Sequence, residues 1–136
     1  MRKFVLALAF LAAAAVTSPA SADPGSLFVN LTTDDGHRVE MATGFSAAML
    51  ERGHPVALWL NDKGVLVASK QHAARFAEQQ KALADLMAKG AQVIACPSCL
   101  KHHGIAESDL IAGVKLGNPE LTSGLLFKDD TRTLTW

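Results

Sequence analysis

Cysteine is scarce in this chain: two in 136 residues, Cys96 and Cys99, separated by only Pro97 and Ser98. That scarcity excludes a small scaffold stapled by several long-range disulfides. An excess of charge of one sign is also missing, because 13 Lys and Arg balance 13 Asp and Glu. No basic stripe runs along the chain, so nucleic acid is not an expected partner. After residue 22 no apolar run is long enough to span a bilayer, so no membrane is expected to hold the mature chain. That part of the chain also lacks internal repeats and low-complexity stretches, and it reads as one domain.

What is present begins with a targeting signature. Arg2 and Lys3 form a basic start, residues 4–16 an apolar run, and Ala20-Ser21-Ala22 fits the small-x-small rule for cleavage. Residues 1–22 are therefore expected to be a signal peptide and residues 23–136 a single domain, beginning at Asp23 and located in the periplasm or secreted. An uncleaved N-terminal anchor is the alternative. Cleavage leaves 136 − 22 = 114 residues, enough for a real core. It also removes Arg2 and Lys3, leaving 13 − 2 = 11 basic against 13 acidic residues.

The mature part alternates buried-strand and helical patterns. Residues 26–32 (SLFVNLT), 55–61 (PVALWLN) and 91–95 (AQVIA) are nearly continuous apolar runs, the look of strands covered on both faces. Leu27, Val29, Val56, Leu58, Val93 and Ile94 are expected to be buried. Between the first two runs, Val39, Ala42, Phe45 and Met49 recur at helical spacing, with Gly53 ending the helix and Gly44 offering close packing on the sheet. Residues 71–89 are helical in composition, with Phe76, Leu83, Leu86 and Met87 as an apolar stripe and a break expected near Ala77. Residues 64–69 read equally as a short strand or a turn of helix. Residues 105–113 are expected to hold a short helix. Asn118-Pro119-Glu120 opens another that carries Leu121, Leu125 and Leu126, and residues 131–136 form a last strand. Met41, Met49 and Met87 read as core residues. The alternation predicts a three-layer α/β/α fold with a mainly parallel sheet of four to five strands.

In such sheets, chemistry collects at the carboxyl ends of strands. Three such ends, near Thr32 to Asp35, Asn61 to Lys63 and Cys96, should share one edge. Thr32, Asp35 and Asn61 are expected there chiefly as caps. Pro97 suits the first position of a helix and cannot extend a central strand. Cys96 is therefore expected to end the third strand and cap a short helix over 97–103 that stops at Gly104. A thiolate at Cys96 would be stabilised by the unpaired N–H groups of a helix start. Cys99, one helical turn on, would face the same side as its resolving partner. A disulfide across so small a loop stabilises a fold little, which makes this pair a poor staple and a well-placed redox, sulfur or metal pair. His102 and His103 read either as solvated side chains at a helix C-terminus, with Lys101 solvated beside them, or as part of a metal set with Cys96 and Cys99. Copper(I) suits such a set better than zinc, because two soft thiolates can hold it.

Several of these features together resemble the DsrE/DsrF-like sulfur-relay family over nearly the whole mature chain. They are Gly53-His54-Pro55-Val56 before the second strand, Asp62-Lys63-Gly64-Val65 after it, Lys89-Gly90-Ala91 leading to Cys96, and Gly104-Ile105 with Asp109-Leu110. The resemblance implies a Cys96 that carries sulfur as a persulfide, and trimers or hexamers. A sulfur donor or acceptor protein, or a small thiol, is the implied partner, with bound sulfur rather than a cofactor. Two features depart from the family: this chain reads as exported, and Cys99 completes a C-x-x-C that a simple carrier does not need. Three functions follow as expectations: exported sulfur transfer on Cys96, dithiol–disulfide exchange on Cys96 and Cys99, or copper(I) binding. A thioredoxin-type site is less well matched, since the pair follows the third strand and no cis-proline loop is evident.

Overall fold

A computed structural model describes residues 24–136; the expected signal peptide and its cleavage point lie outside them. The strands are β1 (Leu27–Leu31), β2 (Val56–Leu60), β3 (Gln92–Ala95), β4 (Lys115–Leu116) and β5 (Arg132–Thr135). They form one sheet in the order β4-β3-β2-β1-β5, with every pairing parallel. The helices are α1 (Gly36–Glu51), α2 (Gly64–Val67), α3 (Ala73–Ala88), α4 (Pro97–His102) and α5 (Pro119–Leu126).

The layering follows from the handedness of crossovers. The chain steps from β1 to β4 in one direction, and right-handed connections place α1 and α3 on one face. It then reverses across the whole sheet to reach β5, so α5 lies on the other face. The pleat agrees. Leu27, Val29, Leu31, Val56, Leu58, Leu60, Val93 and Ala95 join Val39, Ala42, Phe76, Leu83 and Leu86 in one buried cluster. The alternate residues Phe28, Ala57 and Ile94 are buried outside that cluster. All six strand residues expected in the core are buried. Each fully buried Leu or Val contributes about 1.5–3 kcal/mol.

The face of α1 differs from the expectation. Phe45 is 40 % and Met41 53 % exposed, while Thr43 and Ser46 are buried. Their hydroxyls donate to the carbonyls of Val39 (3.0 Å) and Ala42 (2.7 Å), one turn back, which removes the penalty of burying them. Gly44 faces open space instead of packing closely, since a Cβ there would meet nothing. Residues 64–67 resolve as helix. α3 breaks at Phe76 (φ −119°, ψ 26°), one residue before the expected place, and Met87 is only partly buried. Residues 105–113 hold one 3-10 turn, Glu107–Asp109, in place of a helix, followed by the unforeseen short strand β4. The α5 leucines are half-buried, β5 is exposed along its length, and Phe127 is 79 % exposed.

Candidate functional site

The register brings the expected strand ends together. Leu31 is level with Leu60, and Leu60 with Ala95. One residue further on, the Asn61 N–H donates to the Leu31 carbonyl (3.0 Å) and the Cys96 N–H to the Leu60 carbonyl (2.9 Å). Thr32, Asn61 and Cys96 therefore form one row along the sheet edge. Thr32 and Asp35 have structural partners there: the Thr32 hydroxyl donates to the Trp136 carbonyl, and Asp35 caps α1. The Asn61 amide donates to the Asn30 side chain.

Cys96 is the N-cap of α4, with extended backbone (φ −71°, ψ 116°), and Pro97 opens the helix. Its Sγ accepts two hydrogen bonds, from the Cys99 N–H at 3.3 Å and from the Cys99 thiol at 2.6 Å. The Cys99 Sγ in turn accepts the Asp62 N–H at 3.2 Å. Both thiols are free and half-buried. The donors thus run in one direction, from Asp62 through Cys99 to Cys96. In this order Cys99 is the donor and Cys96 the acceptor of the pair. Cys99 is pushed above the usual thiol range, first by burial and then by its hydrogen bond to Cys96. The negative charges of Cys96 and Asp62 add to that rise, and the Asp62 N–H opposes it.

Asp62 was expected on this edge as part of the strand end Asn61 to Lys63, but not as a hydrogen-bond partner of the thiols. It has a left-handed backbone (φ 45°), a conformation that glycine adopts freely and that Asp and Asn tolerate better than other residues. The turn is tight because the Gly64 N–H bonds the Asn61 carbonyl (2.8 Å) and a Cβ at Gly64 would run into the Leu31 carbonyl oxygen. The sequence signal was Asn61-Asp62-Lys63-Gly64 directly after a strand, a run of turn-forming residues.

The histidines separate. His102 is exposed, as a solvated helix-end residue should be, and so is Lys101. His103 is half-buried, with Nε2 3.9 Å from the Asp62 carboxylate and no hydrogen-bond partner among the described residues. The two rings meet edge to face, 4.9 Å apart. Among the described residues, no three His, Cys, Asp or Glu side chains gather around a point that could hold a metal ion. Of the four-residue set singled out in the sequence, only the two thiols touch each other through their sulfur atoms.

An open cavity of about 260 Å³ lies beside Cys99, lined by Asn61, Asp62, Ser98, Cys99, His102 and His103. Cys96 is not among the residues that line it, and both cysteines pack against the core. A larger cavity, about 470 Å³, lies at the opposite end of the sheet, between Phe45, Met49, His54 and Leu134, far in the fold from the thiols.

The model of the DsrE/DsrF-like family matches residues 26–133, all five strands but the last residues of β5. The chain belongs to the DsrE/DsrF-like family. Membership implies a role of the sulfur-relay type. The DsrE/DsrF-like fold is shared with MTH1491 of Methanobacterium thermoautotrophicum, a protein of unknown function, at a TM-score of 0.66 and 14 % identity over 82 % of this chain and 99 % of that one. YchN of E. coli gives 0.65 and 17 % over the same shares, 82 % and 99 %. BT1422 of Bacteroides thetaiotaomicron gives 0.61 and 19 % over 86 % and 99 %. At such identities the likeness is one of fold. No curated protein matches the sequence. Among the described residues of this DsrE/DsrF-like chain, no helix is long and apolar enough to cross a membrane.

Proposed function

We propose that this DsrE/DsrF-like protein is an exported sulfur-transfer protein that holds sulfane sulfur as a persulfide on Cys96. The observation that carries the reading is the pair of donors on the Cys96 Sγ, at the strand end of a sulfur-relay fold. The Cys96 thiolate attacks the sulfane sulfur of a donor. A bond forms from Sγ to that sulfur, the donor's own bond to it breaks, and the donor leaves as a thiolate or sulfide. The partner is then a sulfur donor or acceptor protein or a small thiol. The basic start, apolar run and Ala20/Ala22 pair support export, which N-terminal sequencing of exported material checks. The exposed edge strand β5 and the exposed Phe45 and Phe127 favour a homo-oligomer, trimer or hexamer, which native mass reads.

A second reading, dithiol–disulfide exchange, is favoured by the sulfur–sulfur contact of Cys96 and Cys99. Copper(I) held between the two thiolates is the third. One experiment separates them. The protein is purified without oxygen, weighed intact, then exposed to inorganic polysulfide as wild type, Cys96→Ser and Cys99→Ser. Sulfur transfer predicts one added sulfur on Cys99→Ser and none on Cys96→Ser. If neither variant takes sulfur and wild type reduces insulin, the second reading replaces the first. Copper retained by wild type and lost from both variants would establish the third.

A further inference from the structure

We infer that Cys99 discharges the sulfur held on Cys96, releasing it as hydrogen sulfide and closing a Cys96–Cys99 disulfide. The inference rests on the persulfide reading and goes beyond it, since a carrier that only hands sulfur on needs one thiol.

The two sulfur atoms already touch, so closing the bond requires no rearrangement to bring them together. Persulfidation also changes what surrounds Cys99. In the resting site its thiol donates to the Cys96 Sγ, and that acceptor changes once Sγ is bonded to an outer sulfur, carried as S–SH. The Asp62 N–H stays on the Cys99 Sγ, the one donor in the site that stabilises negative charge there. The resting site therefore holds Cys99 protonated beside a free Cys96, and loading Cys96 favours Cys99 as a nucleophile. The left-handed turn at Asp62 acquires a function on this account, because it presents that N–H to the sulfur at 3.2 Å.

The step balances. Cys99 loses its proton to water, and its sulfur attacks the Cys96 Sγ. The Sγ–Sγ bond forms, the bond from the Cys96 Sγ to the outer sulfur breaks, and its electron pair leaves as hydrosulfide, which takes up a proton. The outer sulfur gains two electrons and each cysteine sulfur gives one. Sulfide leaves through the cavity that Cys99 lines with Ser98 and His102. A small thiol or a dithiol protein then reduces the disulfide by exchange, and the site is ready for another sulfur. The reaction that supplies this protein yields sulfane sulfur, and the one that resets it spends thiol reductant.

The test loads wild type, Cys99→Ser and Cys99→Ala with inorganic polysulfide under anaerobic conditions. After rapid desalting, released sulfide and intact mass are followed together. The inference predicts that both variants keep one sulfur on Cys96 and release none. Wild type should release about one equivalent of sulfide and be recovered two hydrogens lighter, its cysteines blocked to alkylation until dithiothreitol is added. Wild type that keeps its sulfur as long as the variants do would overturn the inference and leave the carrier reading intact. Sulfur found on Cys99 of wild type would overturn it in favour of an internal relay. Variants that take up no sulfur would remove the carrier reading itself, and this inference with it.

Discussion

Two helix starts on the same edge of the sheet share one backbone conformation and differ in what fills it. Asp35 opens α1 at φ −71° and ψ 117°, and Cys96 opens α4 at φ −71° and ψ 116°. At the first, a carboxylate accepts the Arg38 N–H at 2.9 Å, the bond that makes Asp a preferred cap. At the second, a thiol sulfur stands where Ser, Asp or Asn would cap better, and sulfur is a weak acceptor unless ionised. α1 runs for 16 residues and buries one face; α4 has 6 residues and buries only Leu100. The first corner is built for stability. The second gives up capping strength and gains a sulfur atom held under two donors, so its residue choice follows chemistry.

That contrast can be broken from either side. The largest expected effect is at Cys96→Ser: sulfur retention falls to background, while the urea midpoint shifts by no more than about 0.5 kcal/mol in stability, because serine is the better cap. Next is Gly64→Ala, which forces a Cβ against the Leu31 carbonyl oxygen beneath the turn joining the two corners. It should lower stability by about 1–3 kcal/mol in denaturant unfolding. Asp35→Ala comes third, with a loss of about 1 kcal/mol and sulfur retention equal to wild type. Loss of sulfur in that variant would mean that the two corners are coupled.

The smallest effect is a pH dependence. Cys99 is raised above the usual thiol range in the folded chain, so the fold binds that proton more tightly than the unfolded chain does. The associated stability is present below the unfolded thiol pKa and is lost as pH rises through the folded one. Unfolding midpoints should therefore fall slightly on the alkaline side in wild type. In Cys96→Ser the thiol neighbour that raises Cys99 is gone, so this alkaline fall should shrink and Cys99 should titrate lower than in wild type.

Much of this was legible in the chain. Short, nearly continuous apolar runs alternating with helical spacing read as strands covered on both faces, which gave the parallel sheet and the edge where its strand ends meet. Pro97 after such a run gave the strand-to-helix corner and placed Cys96 as its cap. Tertiary context decided what was missed. Periodicity put Phe45 inward, yet Thr43 and Ser46 are buried, because short hydroxyl side chains bond back to their own helix while α3 packs close. β4 has two residues, too few to show a period. Asp62 entered the site through its backbone N–H, and a side-chain reading of the sequence cannot register that group. The distinction between His102 and His103 depended on which ring lies against Asp62, a contact between segments about 40 residues apart.

The central claim is that the donor order around the pair makes Cys96 the reactive sulfur even though Cys99 lines the cavity. Competitive alkylation measures this directly. Fully reduced wild-type protein receives less than one equivalent of iodoacetamide at neutral pH, and the label on each cysteine is then counted by peptide mass. Its place in the cavity lining would favour Cys99, and the two donors on its Sγ favour Cys96. The account predicts label on Cys96 several-fold above that on Cys99. Equal labelling, or label chiefly on Cys99, would contradict it.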